Sequence, residues 1–224
     1  MGELMGPSLK TVNASNVQSF ANITRIFFAS SFHSSVTADS ISTAFSVARK
    51  TIEQKEGGDI VEKITGGCII TSNAAVLGFI EAKVSLVCKL LTELQSKDVL
   101  KDTRVLSVSQ NCPVREFENW GVYSSNPPSE DIDVAAEGAN NVAQDIFTKV
   151  INAAGDLTDN SSSNKITSLS KTLSLPSSSN LIACSKSSEF PSLQEYMELF
   201  GDQVVVENAS EKAWPLQNVV MYDE

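Results

Sequence analysis

Short apolar runs and amphipathic stretches alternate along the first half of the chain. Residues 23–30 form a run of β-branched and aromatic side chains, which favours a buried strand over a helix of that length. Thr37 follows a polar turn and can cap a helix. Apolar residues then recur with helical spacing on one face, at Ile41, Ala44, Phe45, Ala48 and Ile52. This pattern predicts a strand followed by a helix.

A hairpin and a second helix are predicted next. Residues 64–71 and 75–81 are apolar runs on either side of Ser72-Asn73, a pattern typical of two antiparallel strands joined by a tight turn. Residues 83–95 then place apolar side chains on one helical face, at Val84, Val87, Leu91 and Leu94. We expect this helix to lie on the same sheet as the first.

Two further strands complete the predicted domain. Residues 103–109 place Val105 and Leu106 among polar neighbours, and residues 120–123 form a short last strand before Pro127-Pro128. The resulting order, βαββαβ(β), predicts an α+β fold of the ferredoxin-like type. In this plan two helices cover one face of a mixed sheet.

The ends of the chain are predicted to lie outside this domain. Residues 1–20 are polar and are expected to form a flexible arm, so that the domain spans 21–126. Within 127–155, Ser129 can cap a C-terminal helix that Gly155 ends.

The last segment of the chain is predicted to be an extended tail. Residues 156–224 begin with a Ser-rich stretch that is too polar to cover the entropy of its own ordering by burial. A capping box at Ser192-Leu193-Gln194-Glu195 predicts one short helix near 192–200 within this tail.

Composition and charge exclude several functional classes. The net charge of −10 argues against nucleic-acid binding, which needs clustered Lys and Arg facing phosphate. No apolar run is long enough to span a bilayer, so we expect a cytoplasmic protein without a membrane partner. The four cysteines lack the CxxC spacing of a metal or redox site, and we expect buried free thiols and no metal.

Catalytic signatures are weak throughout the sequence. His33 is the only histidine and lies in a polar loop, where a solvated side chain is the simpler interpretation. The segment Lys63-Ile64-Thr65-Gly66-Gly67 contains glycines but lacks the spacing of a phosphate-binding loop. We therefore expect neither an enzyme nor a small-molecule substrate.

Several short motifs of the predicted domain do match a known family. Ile64-Thr65-Gly66, Glu81 after the third strand, Arg104-Val105-Leu106 and the pair Phe117 and Trp120 occur in an order and spacing that resembles the BLUF domain. BLUF domains are blue-light sensors that hold a flavin between the two helices above the sheet. The resemblance covers roughly 23–123.

The residues that would hold the flavin are missing from this chain. The resemblance implies that the flavin-binding Tyr of the first strand falls on Phe28, the Gln of the third strand on Gly78, and the Asn of the first helix at or near Thr51. None of the three offers the required hydroxyl or amide. An unpaired flavin group would cost about 1–3 kcal/mol when buried. We expect no cofactor, and Trp120 is expected to fill the core.

Flavin-less BLUF-like domains occur in eukaryotic proteins of testis and motile cilia, and the chain is similar to that group. The resemblance implies a non-enzymatic interaction protein of a ciliary or flagellar axoneme with axonemal protein partners. Apolar residues in the polar tail indicate where partners bind, and the candidates are Phe190, Met197, Phe200 and Trp214. Folding of the tail back onto the domain stays open. The alternatives are a flavin photoreceptor that uses other groups and a regulatory subunit of a signalling enzyme.

Overall fold

The computed structural model describes residues 23–33, 35–55, 63–71, 75–125, 138–154, 167–168 and 177–200. Its strands are β1 Ile23–Ser31, β2 Thr65–Thr71, β3 Ala75–Lys83, β4 Lys101–Cys112, β5 Trp120–Ser125 and β6 Thr167–Ser168. Its helices are α1 Ala38–Lys55, α2 Val84–Ser96, α3 Ala139–Asn152, α4 Ser178–Lys186 and α5 Leu193–Phe200. The predicted 1–20 arm lies outside the described residues.

The strand order is β4-β1-β3-β2-β5-β6 across one sheet of the described chain. The first four strands pair antiparallel, whereas β5 pairs parallel with β2 and β6 pairs parallel with β5. The predicted βαββαβ(β) order, the hairpin pairing of β2 with β3 and the mixed sheet are confirmed. The fourth strand is longer than the predicted 103–109, because irregular pairing with β1 extends it to Cys112.

The central strands β1 and β3 are buried on both faces. Their burial patterns are unbroken except at the last residue, which fits runs of apolar side chains rather than an alternating pattern. Alternate residues of β1 contribute to two separate clusters, Phe28 to one and Phe27 to the other. We call the side of Phe28 the first face and the side of Phe27 the second face.

The first face is covered by α1 and α2, as predicted. Thr37 caps α1 by accepting a hydrogen bond from the Ser40 N–H at 3.2 Å. The predicted stripe from Ile41 to Ile52 is buried, and all its members except Ala44 belong to the first-face cluster. Leu193 and Tyr196 of α5 join the same cluster.

The second face is covered by α3 and α4, which the sequence did not predict as part of the core. Val142, Ile146 and Val150 of α3 are buried there together with Leu181 and Cys184 of α4. The two segments predicted to be a separate helix and an extended tail therefore share a core with the sheet.

Two predictions about this region are wrong. A continuous helix from Ser129 is excluded because Gly138, the residue before α3, has φ 80° and ψ 135°, which is not helical. The predicted extended stretch contains α4, which Ser177 caps by accepting from the Asn180 N–H at 3.2 Å. Its polar sequence is compatible with a helix because the buried face needs only Leu181 and Cys184 to be apolar.

The glycine pair after Thr65 has a structural role. Gly66 has φ 101°, and a Cβ there would collide with the Phe79 carbonyl oxygen of the neighbouring strand. A Cβ at Gly67 would collide with the Gly121 carbonyl oxygen on the other side. The pair therefore lets β2 lie between β3 and β5 at this point.

Replacement of a buried α4 side chain tests whether this helix belongs to the core. Leu181 is 0% exposed, so Leu181→Ala should lower the free energy of unfolding by about 2–5 kcal/mol. The exposed Lys186→Ala on the same helix should change it by less than about 0.5 kcal/mol. Urea unfolding of the full chain measures both, and equal small effects would contradict the placement of α4.

Candidate functional site

Two of the three flavin positions implied by the resemblance lie together in the middle of the first face. Phe28 on β1 and Gly78 on β3 are directly paired across the two strands. Gly78 in turn pairs with Cys68 on β2, and Cys68 pairs with Val122 on β5. The sheet therefore brings together the two positions that correspond to the flavin-binding Tyr and Gln.

The Phe28 ring fills the space above Gly78. A Cβ built on Gly78 would lie far inside the contact distance of the outer ring carbons of Phe28. Both residues are buried, and Phe28 is 0% exposed. No side chain fits at position 78 unless the ring moves, so the residues here do not fit a flavin.

Two more aromatic rings continue from Phe28 beneath α1. The centroid of Phe28 lies 6.3 Å from that of Phe45 with an interplanar angle of 9°, and Phe45 lies 6.2 Å from Trp120. The Arg49 guanidinium lies 5.5 Å from the centroid of the Trp120 ring. Each aromatic pair contributes about 0.5–1.5 kcal/mol beyond its buried area. We call Phe28, Phe45 and Trp120 the aromatic row.

Trp120 is a core residue, as predicted. It is 9% exposed, and its indole nitrogen is buried without a hydrogen-bond acceptor among the described groups. Thr51 is placed differently from the other flavin positions, since it is half-buried on α1 beside the buried Ile52. The third flavin position is therefore at the margin of the packed core.

A buried carboxylate dominates the electrostatics of the second face. Glu81 on β3 is 0% exposed, and its Oε1 lies 2.6 Å from Nε of Arg25 on the neighbouring strand β1. The same carboxylate accepts hydrogen bonds from the backbone N–H groups of Glu116 and Phe117, each at 3.1 Å. Glu81 thus satisfies its charge and most of its acceptor sites within the protein.

Arg115 completes this network from the loop between β4 and β5. Its guanidinium donates to the Thr65 hydroxyl and to the Glu81 backbone carbonyl, both at 2.8 Å. Burial lowers the pKa of Arg115, and the negative charge of Glu81 opposes that shift. We call Arg25, Glu81 and Arg115 the charged network, and it holds the loop 113–119 against the sheet.

The sequence contained signals for this network that the prediction did not use. Glu81 was recognised only as a matching position of the BLUF resemblance, and Arg115 was not singled out. The physical signal is a single charge of each sign, Arg25 and Glu81, inside two strand runs that are otherwise uncharged. Charges in strands buried on both faces need partners, so this pattern indicates a buried pair.

The predicted partner-binding residues of the tail differ in where they lie. Phe190 is 4% exposed in the second-face cluster, and its carbonyl accepts from the Arg104 guanidinium at 2.9 Å. Its prediction as a partner contact is therefore wrong, because its ring is buried within its own domain. Met197 is half-buried against the first-face cluster and Phe200 is 44% exposed, whereas Trp214 lies outside the described residues.

The segment that follows α4 extends the edge of the sheet. The Val105 N–H donates to the Pro191 carbonyl at 3.0 Å, and Arg104 forms an antiparallel bridge with Ser192. A cleft of about 590 Å³ opens beside this contact. Its lining is mainly polar and includes Asp102, Lys186 and Gln194, and none of the flavin positions line it.

The described ranges contain neither a metal site nor a membrane-spanning helix. No group of His, Cys, Asp and Glu there has the arrangement of a metal site. Over these ranges no helix combines the length and apolar character needed to cross a membrane. The four cysteines are buried free thiols, as predicted, and burial raises the pKa of Cys184 to about 11, with a further upward contribution from Glu189.

Comparison with known proteins identifies one family. The family model described as Testis-expressed protein 47 matches residues 22–202. This match confirms the predicted resemblance to BLUF-like proteins of testis. No curated protein sequence matches the chain.

Solved structures similar to the chain include three BLUF-related proteins. A bacterial light-regulated adenylyl cyclase is 16% identical with a TM-score of 0.38, over 60% of this chain and 40% of its own length. The BLUF domain of BlrP1, a protein of Klebsiella pneumoniae, is 16% identical with a TM-score of 0.36, over 57% and 75%. BlsA in its ground state is 13% identical with a TM-score of 0.38, over 63% and 76%.

Removal of the buried charge tests the role of the charged network. Glu81→Gln puts an amide in place of a carboxylate that accepts from two backbone N–H groups, and it leaves Arg25 with only the more exposed Glu116 carboxylate, 3.5 Å away, as its counter-charge. Breaking a buried pair in this way should cost about 3–5 kcal/mol in the free energy of unfolding.

The matched control is Glu118→Gln in the same loop, whose side chain is exposed. Urea unfolding should show a change below about 0.5 kcal/mol for this variant. A similar small change for Glu81→Gln would show that the loop is held by other contacts.

Proposed function

Because the chain belongs to the Testis-expressed protein 47 family, we propose that it is a non-enzymatic structural and interaction protein of a ciliary or flagellar axoneme. Its partners are axonemal proteins, and it works without a flavin. The BLUF-like domain provides a rigid body whose surface residues contact these partners.

The observation that carries this proposal is the packing of Phe28 over Gly78. A photosensor of this fold needs space for a ring system between the helices and polar side chains to hold it. Here the corresponding positions carry an aromatic ring and a glycine that the ring covers. Such packing supports a scaffold, since it stabilises the domain and offers a flavin no hydrogen bonds.

The extent of the folded core is a second supporting observation. The family match runs from residue 22 to residue 202, and the described elements run from Ile23 to Phe200. The matched region therefore includes α4 and α5 as well as the seven elements from β1 to β5 that resemble BLUF. A scaffold gains partner surface from these added helices without any need for a reaction centre.

The absence of flavin is tested on the purified protein. The full chain, expressed in cells supplied with riboflavin, should show no visible flavin absorption band after purification. BlrP1, whose solved structure contains FMN, is expressed and purified in parallel as the positive control. A stoichiometric flavin band that shifts on blue illumination would overturn the proposal in favour of a photosensor.

Localisation tests the axonemal part of the proposal separately. The tagged full chain, expressed in ciliated cells, should remain with the axoneme after detergent extraction. Complete extraction with the membrane and soluble fractions would contradict an axonemal role, whatever the absorption spectrum shows.

A further inference from the structure

The polar cleft beside β4 brings a serine and two basic side chains together. Ser192, Arg104 and Lys186 all line this cleft of about 590 Å³. Arg104 and Ser192 are also partners in an antiparallel bridge, and such partners direct their side chains to the same side of the paired segments. The cleft wall therefore places a hydroxyl next to a guanidinium, with an ammonium group nearby.

One carboxylate links Ser192 to Arg104 at present. The Glu195 Oε2 atom accepts from the Ser192 N–H at 2.6 Å and lies 3.4 Å from Nη1 of Arg104. The Glu195 N–H donates in turn to the Ser192 hydroxyl at 3.1 Å. Because charge-assisted hydrogen bonds are usually about 2.7–2.9 Å long, the contact between Arg104 and Glu195 is a loose one.

The sequence around Ser192 is unique in this chain. Ser192 is the only Ser or Thr of the 224 residues that is followed three positions later by Asp or Glu. Acidophilic protein kinases select a carboxylate at this spacing, because basic side chains in their substrate groove complement its charge. The capping box that begins α5 therefore has the sequence of an acidophilic kinase substrate.

We propose that Ser192 is a phosphorylation site of an acidophilic kinase and that Arg104 and Lys186 hold the phosphate in the cleft. In this step the Ser192 hydroxyl oxygen attacks the γ-phosphorus of ATP, and the new O–P bond forms as the bond to ADP breaks. The hydroxyl proton passes to the catalytic carboxylate of the kinase.

The cleft offers a phosphate what it needs. Phosphoserine carries a charge of about −1.5 to −2 and three strong acceptor oxygens. Arg104 can exchange its loose contact with Glu195 for a shorter contact with the phosphate, and the exposed Lys186 supplies a second positive charge. Phosphorylation would thus connect β4, α4 and the start of α5 through one charged group.

The position of Ser192 allows a kinase to reach it. Ser192 is half-buried, and α5 is the last described helix, with eight residues of which only Leu193 and Tyr196 are buried. Kinases bind their substrates in an extended form, so the first turn of α5 must open. Short elements with few buried residues open at a lower free energy than the core.

Phosphorylation of the full chain by a purified acidophilic kinase with MgATP tests the site. Mass spectrometry should find phosphate on Ser192, and Ser192→Ala should abolish it. Ser188→Ala is the control, since Ser188 is exposed in the same segment but has Pro191 at the corresponding position. Glu195→Gln retains a capping-box residue but should slow the reaction by about tenfold or more, because the kinase loses its carboxylate.

Two results of this experiment would overturn the proposal. One is little or no phosphate on Ser192 of the wild-type chain, and the other is an unchanged rate for Glu195→Gln. The tagged chain recovered from ciliated cells should carry the same phosphate, and an unmodified Ser192 there would also contradict the proposal.

Titration of the phosphorylated full chain, followed by ³¹P NMR, tests the role of the cleft. The second pKa of phosphoserine is about 6, and it should be lower in the folded chain than in the same chain unfolded in urea, because nearby cations favour the dianion. Lys186→Gln and Arg104→Gln should each raise it towards the unfolded value. Lys50→Gln, on the exposed side of α1, is the control and should leave it unchanged. Equal values in the folded and unfolded chains would overturn the placement of the phosphate in the cleft.

Discussion

The burial of β1 and β3 on both faces is the constraint on which the rest of the structure depends. Because both faces of these strands are covered, their side chains must pack closely against the residues above and below the sheet. At the centre of the first face, the large Phe28 ring packs over Gly78, which has no side chain. The aromatic row of Phe28, Phe45 and Trp120 continues this packing beneath α1.

The same constraint explains the charged network on the second face. A carboxylate in a strand that is buried on both faces is tolerated only if its charge is balanced and its oxygen atoms accept hydrogen bonds. Arg25 balances the charge of Glu81, and backbone N–H groups of the loop 113–119 donate hydrogen bonds to its oxygen atoms. Glu81 therefore connects the two faces of the sheet. It fixes the loop on the second face, and that loop leads directly into the strand that carries Trp120 on the first.

The sequence allowed the first five strands, α1 and α2 to be predicted because their apolar periodicities are strong and their ends carry recognisable signals such as the Thr37 cap, whereas β6 in the predicted tail was missed. It also identified Phe28 and Gly78 as the decisive positions, although only through a family resemblance. Helix α4 was missed because a helix that covers a sheet needs only two buried apolar residues, Leu181 and Cys184, in a serine-rich stretch. Phe190 was misplaced for the same reason, since average polarity does not show which apolar residues return to the core.

A double-mutant cycle at Phe28 and Gly78 tests the central claim most directly. Gly78→Ala should destabilise the wild-type chain by about 1–3 kcal/mol, because the new methyl group overlaps the Phe28 ring. In the Phe28→Leu background the same substitution should cost much less, so that urea unfolding gives a coupling energy above about 1 kcal/mol. Additive effects of the two substitutions would contradict the claim that the Phe28 ring occupies the space above Gly78.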